Sequence, residues 1–258
     1  MRVLAILLAA ALACTATASA QLRMGPRMQP LEPAQELAQF RLLEQAFASL
    51  APQRPGVVDA YVLSVALWDE HVFQNEAEGA ASVLSQRFNA QGRTIVLSNG
   101  KGAGAPRTHG GARPGEVAAA LARIGEVMDR EEDVLVLFMT SHGQQDGALS
   151  VQDQQRAYAI YPSVLRRSLD QVGVKNRLVI VSACFAGAFI PALQNDTTMV
   201  FTAAAHDRTS FGCAPENDWT YFGDAFVNQT LRQNRSLDDA FSMAKTLIQS
   251  WEARENIR

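Results

Sequence analysis

Three stretches of this chain are aliphatic almost without a break: V-V-D-A-Y-V-L-S-V-A-L at 57–67, D-V-L-V-L-F-M-T at 133–140 and R-L-V-I-V-S-A at 177–183. A strand with one face in water alternates apolar and polar residues, and these three have no polar face to offer. They must be covered on both sides. Shorter runs of the same kind occur at T-I-V-L and at M-V-F-T-A-A-A (199–205). Helical patterns separate or follow them at about 75–88, 115–130, 163–172, 221–233 and 236–254. Aliphatic strands alternating with helices predict an α/β domain built on a mainly parallel sheet with helices on both faces.

The N-terminus is of a different character. Met1-Arg2 gives a positive start, Val3 to Leu12 is an apolar run, and Ala18-Ser19-Ala20 is a small-residue cleavage site before Gln21. That order predicts a signal peptide over 1–20 and therefore an exported protein, periplasmic or secreted. A second reading takes Ala11-Leu12-Ala13-Cys14 as a lipoprotein box with Cys14 lipidated; it ranks lower because position 11 is Ala rather than Leu. Residues 21–56 read as a proline-containing linker followed by an amphipathic helix at 34–50, with Leu37, Phe40, Leu43 and Phe47 at helical spacing. The helix could pack on the domain or stand apart from it. The α/β domain then occupies 57–258.

Acidic residues number 26 against 23 Lys and Arg, and no basic stripe occurs, so neither nucleic acid nor an anionic membrane surface is expected as a partner. No apolar stretch after the signal is long enough for a transmembrane span. The glycine-rich segment N-G-K-G-A-G-A-P-R-T-H-G-G lacks the order of a phosphate loop and reads as a surface loop, with His109 solvated within it. No HExxH or CxxC motif supports a metal, and no cofactor is implied.

Two buried strands end in reactive residues. The strand at 133–140 runs into Ser141-His142-Gly143, and the strand at 177–183 runs into Cys184-Phe185-Ala186-Gly187. About one helical crossover joins them, the connection that a parallel pair requires. Functional groups of open α/β sheets collect beyond the carboxyl ends of the strands, so His142 and Cys184 arrive on one edge. An imidazole is the usual partner that turns a thiol into a nucleophilic thiolate, and it can then protonate the departing amine. Gly143 lets the backbone approach a substrate, so its N–H, with that of Cys184, could hold an oxyanion. A lone cysteine at a strand end is usually an inert small hydrophobe; it is the pairing with His142 that argues for catalysis. His71 and His206, each just after a strand, are weaker candidates. No G-x-S-x-G elbow is present.

These segments, T-S-H-G, V-S-A-C-F-A-G, F-T-A-A-A-H-D-R-T-S-F-G-C and T-Y-F-G-D-A-F, resemble the bacterial branch of the C13 cysteine peptidases, relatives of legumain within the caspase-like clan. The likeness spans roughly residues 57–250. It implies a caspase-like, flavodoxin-like three-layer fold and a dyad of His142 as base and Cys184 as nucleophile. By the same resemblance Gly143 and Cys184 supply the oxyanion N–H groups, and Asp224 matches an acid of the primary specificity pocket. The chain also departs from legumains. Ser182 stands where they carry Glu two residues before the nucleophile, at a position expected to touch substrate, and no arginine near 69–76 matches their pocket arginine. Cleavage after asparagine is therefore not inherited; Asp224 points to a basic or small polar residue.

The resulting expectation is an exported cysteine endopeptidase acting on a peptide or protein through a thioester. A transpeptidase of the same chemistry and a non-catalytic binding domain of the same fold are the alternatives. Cys213, near the expected cleft, could be a free thiol or a disulfide partner of Cys184. The sequence does not specify the oligomeric state.

Overall fold

The computed structural model describes residues 33–102, 105–154 and 156–256. The expected signal peptide, Cys14 and nearly all of the expected linker lie outside the described residues.

The long aliphatic runs form the centre of a five-stranded parallel sheet. Its strands are β1 (Ala60–Ala66), β2 (Thr94–Ser98), β3 (Val134–Thr140), β6 (Asn176–Ser182) and β7 (Thr198–Thr202), in the order β2-β1-β3-β6-β7. Between them run α2 (His71–Arg87), α3 (Pro114–Val127), α4 (Pro162–Val172) and the short α5 (Phe189–Leu193). A π-helix (Gly223–Thr230) and α6 (Leu237–Glu255) follow β7. Setting aside a hairpin inserted after β3, this is the flavodoxin-like strand order.

Alternate residues of each strand enter two separate cores, as the unbroken apolar runs require. Leu63, Val65, Leu135, Leu137, Val179 and Val181 pack with residues of α3 and α4. Val62, Val136, Phe138, Leu178 and Ile180 pack on the other side with residues of α2, the π-helix and α6. The sheet is thus the middle of three layers. Its order reverses between β1 and β3, the place where an α/β sheet opens a crevice beyond its carboxyl ends.

The helix expected at 34–50 forms as α1 (Pro33–Ala48) and packs on the domain. Leu43, Ala46 and Phe47 lie against the α3-side core, while Glu36 is held by Arg113 at 3.2 Å and Arg156 at 3.1 Å. Sequence pattern did not anticipate the antiparallel hairpin β4 (Leu149–Asp153) and β5 (Arg156–Ile160). Its strands are short, and only Leu149, Val151 and Asp153 of β4 are buried, so its apolar signal is brief.

At the amino edge of the sheet, buried Asp133 sets where two strands begin. Its carboxylate accepts from the backbone N–H of Asp59 at 2.7 Å and from that of Asp129 at 2.8 Å. Asp133→Ala orphans both donors and should destabilise the protein by roughly 2–4 kcal/mol. Because Asp133 lies at the edge opposite His142 and Cys184, chemical denaturation should show the loss while turnover per folded molecule stays unchanged.

Candidate active site

The register of β3 and β6 brings the two reactive strand ends together. Thr140 pairs with Ser182, and two residues further on each chain stand His142 and Cys184. The Ser141 N–H still donates to the Ser182 carbonyl at 3.2 Å. Gly143 then crosses directly against the Cys184 peptide. A Cβ on Gly143 would overlap the Cys184 carbonyl oxygen and stand 3.1 Å from its nitrogen, so no other residue fits here without parting the strands.

The turn after Cys184 is forced. Phe185 adopts a left-handed φ of 56°, costly for a bulky residue, and its N–H is tied to the Arg208 carbonyl at 2.7 Å. A 3-10 turn (Ala186–Ala188) and then the short α5 follow. Gly187 lets the chain pass the Ala205–His206 backbone, which a Cβ would strike. The Cys184 side chain meets the loop after β7. There the sulfur accepts the Ser210 N–H at 3.3 Å and lies 3.7 Å from the Ser210 carbonyl. An N–H directed at sulfur is a contact that strengthens as the sulfur becomes negative.

His142 is held from the β1–α2 connection. Its ring meets Trp68 and Phe73 edge-on, with centroids at 5.0 and 4.9 Å, and its Nε2 faces Glu70 Oε2 at 3.5 Å. Cys184 and Cys213 are both free thiols. Cys213 packs beside Trp68 on a small cluster that includes Phe73, and burial followed by the nearby Cys184 pushes its thiol pKa up.

Below the pair lies a residue that sequence pattern did not single out. Glu76 of α2 has no exposed surface, and three hydroxyls face its carboxylate. Thr220 donates at 2.6 Å and Ser182 at 3.2 Å to one oxygen; Thr140 bonds the other. Thr140 and Ser182 are the residues two before His142 and Cys184. Gly223 leaves space for the Glu76 carboxylate, which a Cβ there would overlap. Burial drives the Glu76 pKa up, to about 7, against the lowering effect of the three hydroxyls. Ser182 is therefore itself buried, with its hydroxyl turned to Glu76 and Thr220.

Asp224 is not gathered into this cluster. It lies in the first turn of the π-helix, accepts from Asn228 at 2.7 Å and Gln229 at 2.9 Å, and lines a groove with Trp219, Tyr221, Trp251 and Arg254. The remaining histidines stand elsewhere: His71 lies 3.6 Å from Asp218, His109 lies 3.0 Å from Glu78, and His206 is exposed. Among the described residues no group of His, Cys, Asp or Glu is arranged to hold a metal ion.

A thiol and an imidazole are thus presented at the carboxyl edge of a parallel sheet, beside a glycine pressed against the thiol's own peptide. The chain belongs to the peptidase C13 family, whose model matches residues 114–257 and so includes both strand ends. Membership implies a cysteine peptidase. Among solved structures, the crystal structure of caspase-1 from Spodoptera frugiperda is similar at 13% identity and a TM-score of 0.48, over 76% of this chain and 82% of that one. No curated protein matches the chain.

Glu76 supplies a pH test of this geometry. Its folded pKa is raised, so folding takes up a proton between the ordinary value of 4.5 and about 7. The stability this contributes is fully present below the lower value and is lost as pH rises through the upper one. Relative to Glu76→Gln, the wild type should lose on the order of 3 kcal/mol across that window in denaturation curves. Parallel curves for the two proteins would contradict the raised pKa.

Proposed function

We propose that the protein is an exported cysteine endopeptidase in which Cys184 is the nucleophile and His142 the general base. The observation that carries this reading is the state of two backbone donors. Gly143 and Leu149 form a bridge of the non-hydrogen-bonded kind, since Ser150 N–H donates to His142 and Gln144 N–H to Ala148. The Gly143 N–H is thereby left free, and neither it nor the Cys184 N–H donates to any group among the described residues. Two unspent N–H groups at the thiol are the equipment an acyl-transfer site needs.

In this mechanism His142 takes the proton of the Cys184 thiol as the sulfur attacks the substrate carbonyl. The carbonyl oxygen, now negative, accepts from the Gly143 and Cys184 N–H groups. His142 returns the proton to the amine as the C–N bond breaks. Water then cleaves the thioester and frees the acid. Export rests on the pattern of residues 1–20, and a peptide or protein substrate on the family.

A thiol-reactive peptide probe should label the wild type at one site and leave Cys184→Ala unlabelled, while His142→Ala lowers peptide hydrolysis by ~10²–10⁴-fold. Equal labelling of wild type and Cys184→Ala would remove Cys184 as the nucleophile. For specificity, Asp224, the acid drawn from the family resemblance, lines a groove with Trp219 and Tyr221, and no arginine lies between residues 69 and 76. Peptides varied at the residue before the scissile bond should show a preference for basic or small polar side chains; a strict asparagine preference would overturn that expectation.

A further inference from the structure

We propose that Glu70 is a positioning residue that fixes the His142 imidazole, so that the site works as a Cys184–His142–Glu70 arrangement rather than as a dyad. The proposal rests on the peptidase reading above and concerns the same site.

Glu70 occupies the N-cap position of α2, in the extended conformation a cap residue adopts, yet its side chain makes no cap hydrogen bond. The carboxylate is used elsewhere. One oxygen accepts from Trp68 Nε1 at 3.1 Å, and the other faces His142 Nε2 at 3.5 Å. Trp68 thus holds Glu70 with its indole N–H while its ring edge flanks the same histidine. Phe73, one turn into α2, closes another side. Two near-perpendicular aromatic contacts oppose rotation of the imidazole, and the acid selects which nitrogen points away from the chemistry.

Other acids nearby are committed differently. Glu76 is enclosed by the Thr140, Ser182 and Thr220 hydroxyls, and Asp218 accepts from Asn75 at 2.7 Å beside His71. Glu70 alone among the described acids stands within ion-pair reach of His142.

With Nε2 turned to Glu70, Nδ1 is the nitrogen that carries the proton. It accepts the thiol proton as the S–C bond forms and delivers it to the amine as the C–N bond breaks. Glu70 exchanges no proton; it faces the imidazolium that exists between those events. The 3.5 Å separation suits an ion pair that tightens when the ring becomes charged. Both side chains are about one-third exposed, at 35% each, and a pair so exposed adds little to folding stability. A positioning role and a structural role therefore predict different results.

Glu70→Gln keeps the size of the side chain and an oxygen for Trp68 but removes the charge. It should lower kcat by ~10–100-fold, part of the general-base contribution, with KM within about twofold and the melting temperature unchanged. Alkylation of Cys184 by iodoacetamide, read by peptide mapping, should slow in Glu70→Gln in the same direction as in His142→Ala, and Glu70→Asp should recover part of both losses. Wild-type kcat and alkylation in Glu70→Gln would overturn the proposal. So would a loss of activity that merely follows a fall in melting temperature or is not recovered by Glu70→Asp. If His142→Ala is alkylated as fast as wild type, the pairing of Cys184 with His142 itself fails, and the proposal with it. The alkylation comparison thereby separates the two failures.

Discussion

A carboxylate withdrawn from water joins the parts of this site. Glu76 reaches from α2 to hydroxyls at the end of β3, at the end of β6 and in the segment before the π-helix. Burying an unpaired acid costs several kcal/mol, so the three hydroxyls must stay in place for the fold to tolerate it. Two of those hydroxyl-bearing residues are the strand-register partners Thr140 and Ser182, each two residues before a reactive side chain. The constraint that satisfies Glu76 thereby also fixes the level at which His142 and Cys184 leave the sheet. Trp219 packs on Gly79 of the same helix, so the segment holding Thr220 is anchored to α2 at two places.

On that foundation the features proposed for catalysis follow from chain geometry. Parallel pairing delivers both strand ends to one edge. The β1–α2 connection, at the point where strand order reverses, supplies Trp68 and Glu70, and the first turn of α2 supplies Phe73, around the histidine. The strained Phe185 turns the chain outward immediately after the sulfur. Close backbone crossings, at Gly143 against Cys184 and at Gly187 against Ala205 and His206, add to these side-chain supports. Rigid supports of this kind are what an acyl-transfer site needs, because its donors must be aimed before charge develops.

The sheet was legible because doubly buried strands leave continuous aliphatic runs, and helices between such strands leave few topologies open. His142 and Cys184 were legible for the same reason, being reactive residues at the ends of those runs. Glu76 was not. An acid in the middle of a helix reads as solvated, and only the long-range contacts of residues 140, 182 and 220 reveal that it points inward. Glu70 looks like an ordinary cap residue until Trp68 and His142 are placed beside it. Ser182 was expected to meet substrate, and instead its hydroxyl points to an acid arriving from α2. The acid absent from the chain two residues before the nucleophile is thus present in space, from another element. Asp224, drawn from resemblance alone, lies among Asn228 and Gln229, and no period or spacing in the sequence bears on where its side chain turns.

In the proposed reaction Cys184 attacks a carbonyl whose oxygen is received by two backbone N–H groups. A crystal structure of the protein with a peptide aldehyde tests it directly. One hemithioacetal on Cys184 Sγ is expected, with its oxygen ~2.7–3.1 Å from both the Gly143 and the Cys184 nitrogens. An adduct on Cys213, or an oxygen on Cys184 turned away from both donors, would contradict it.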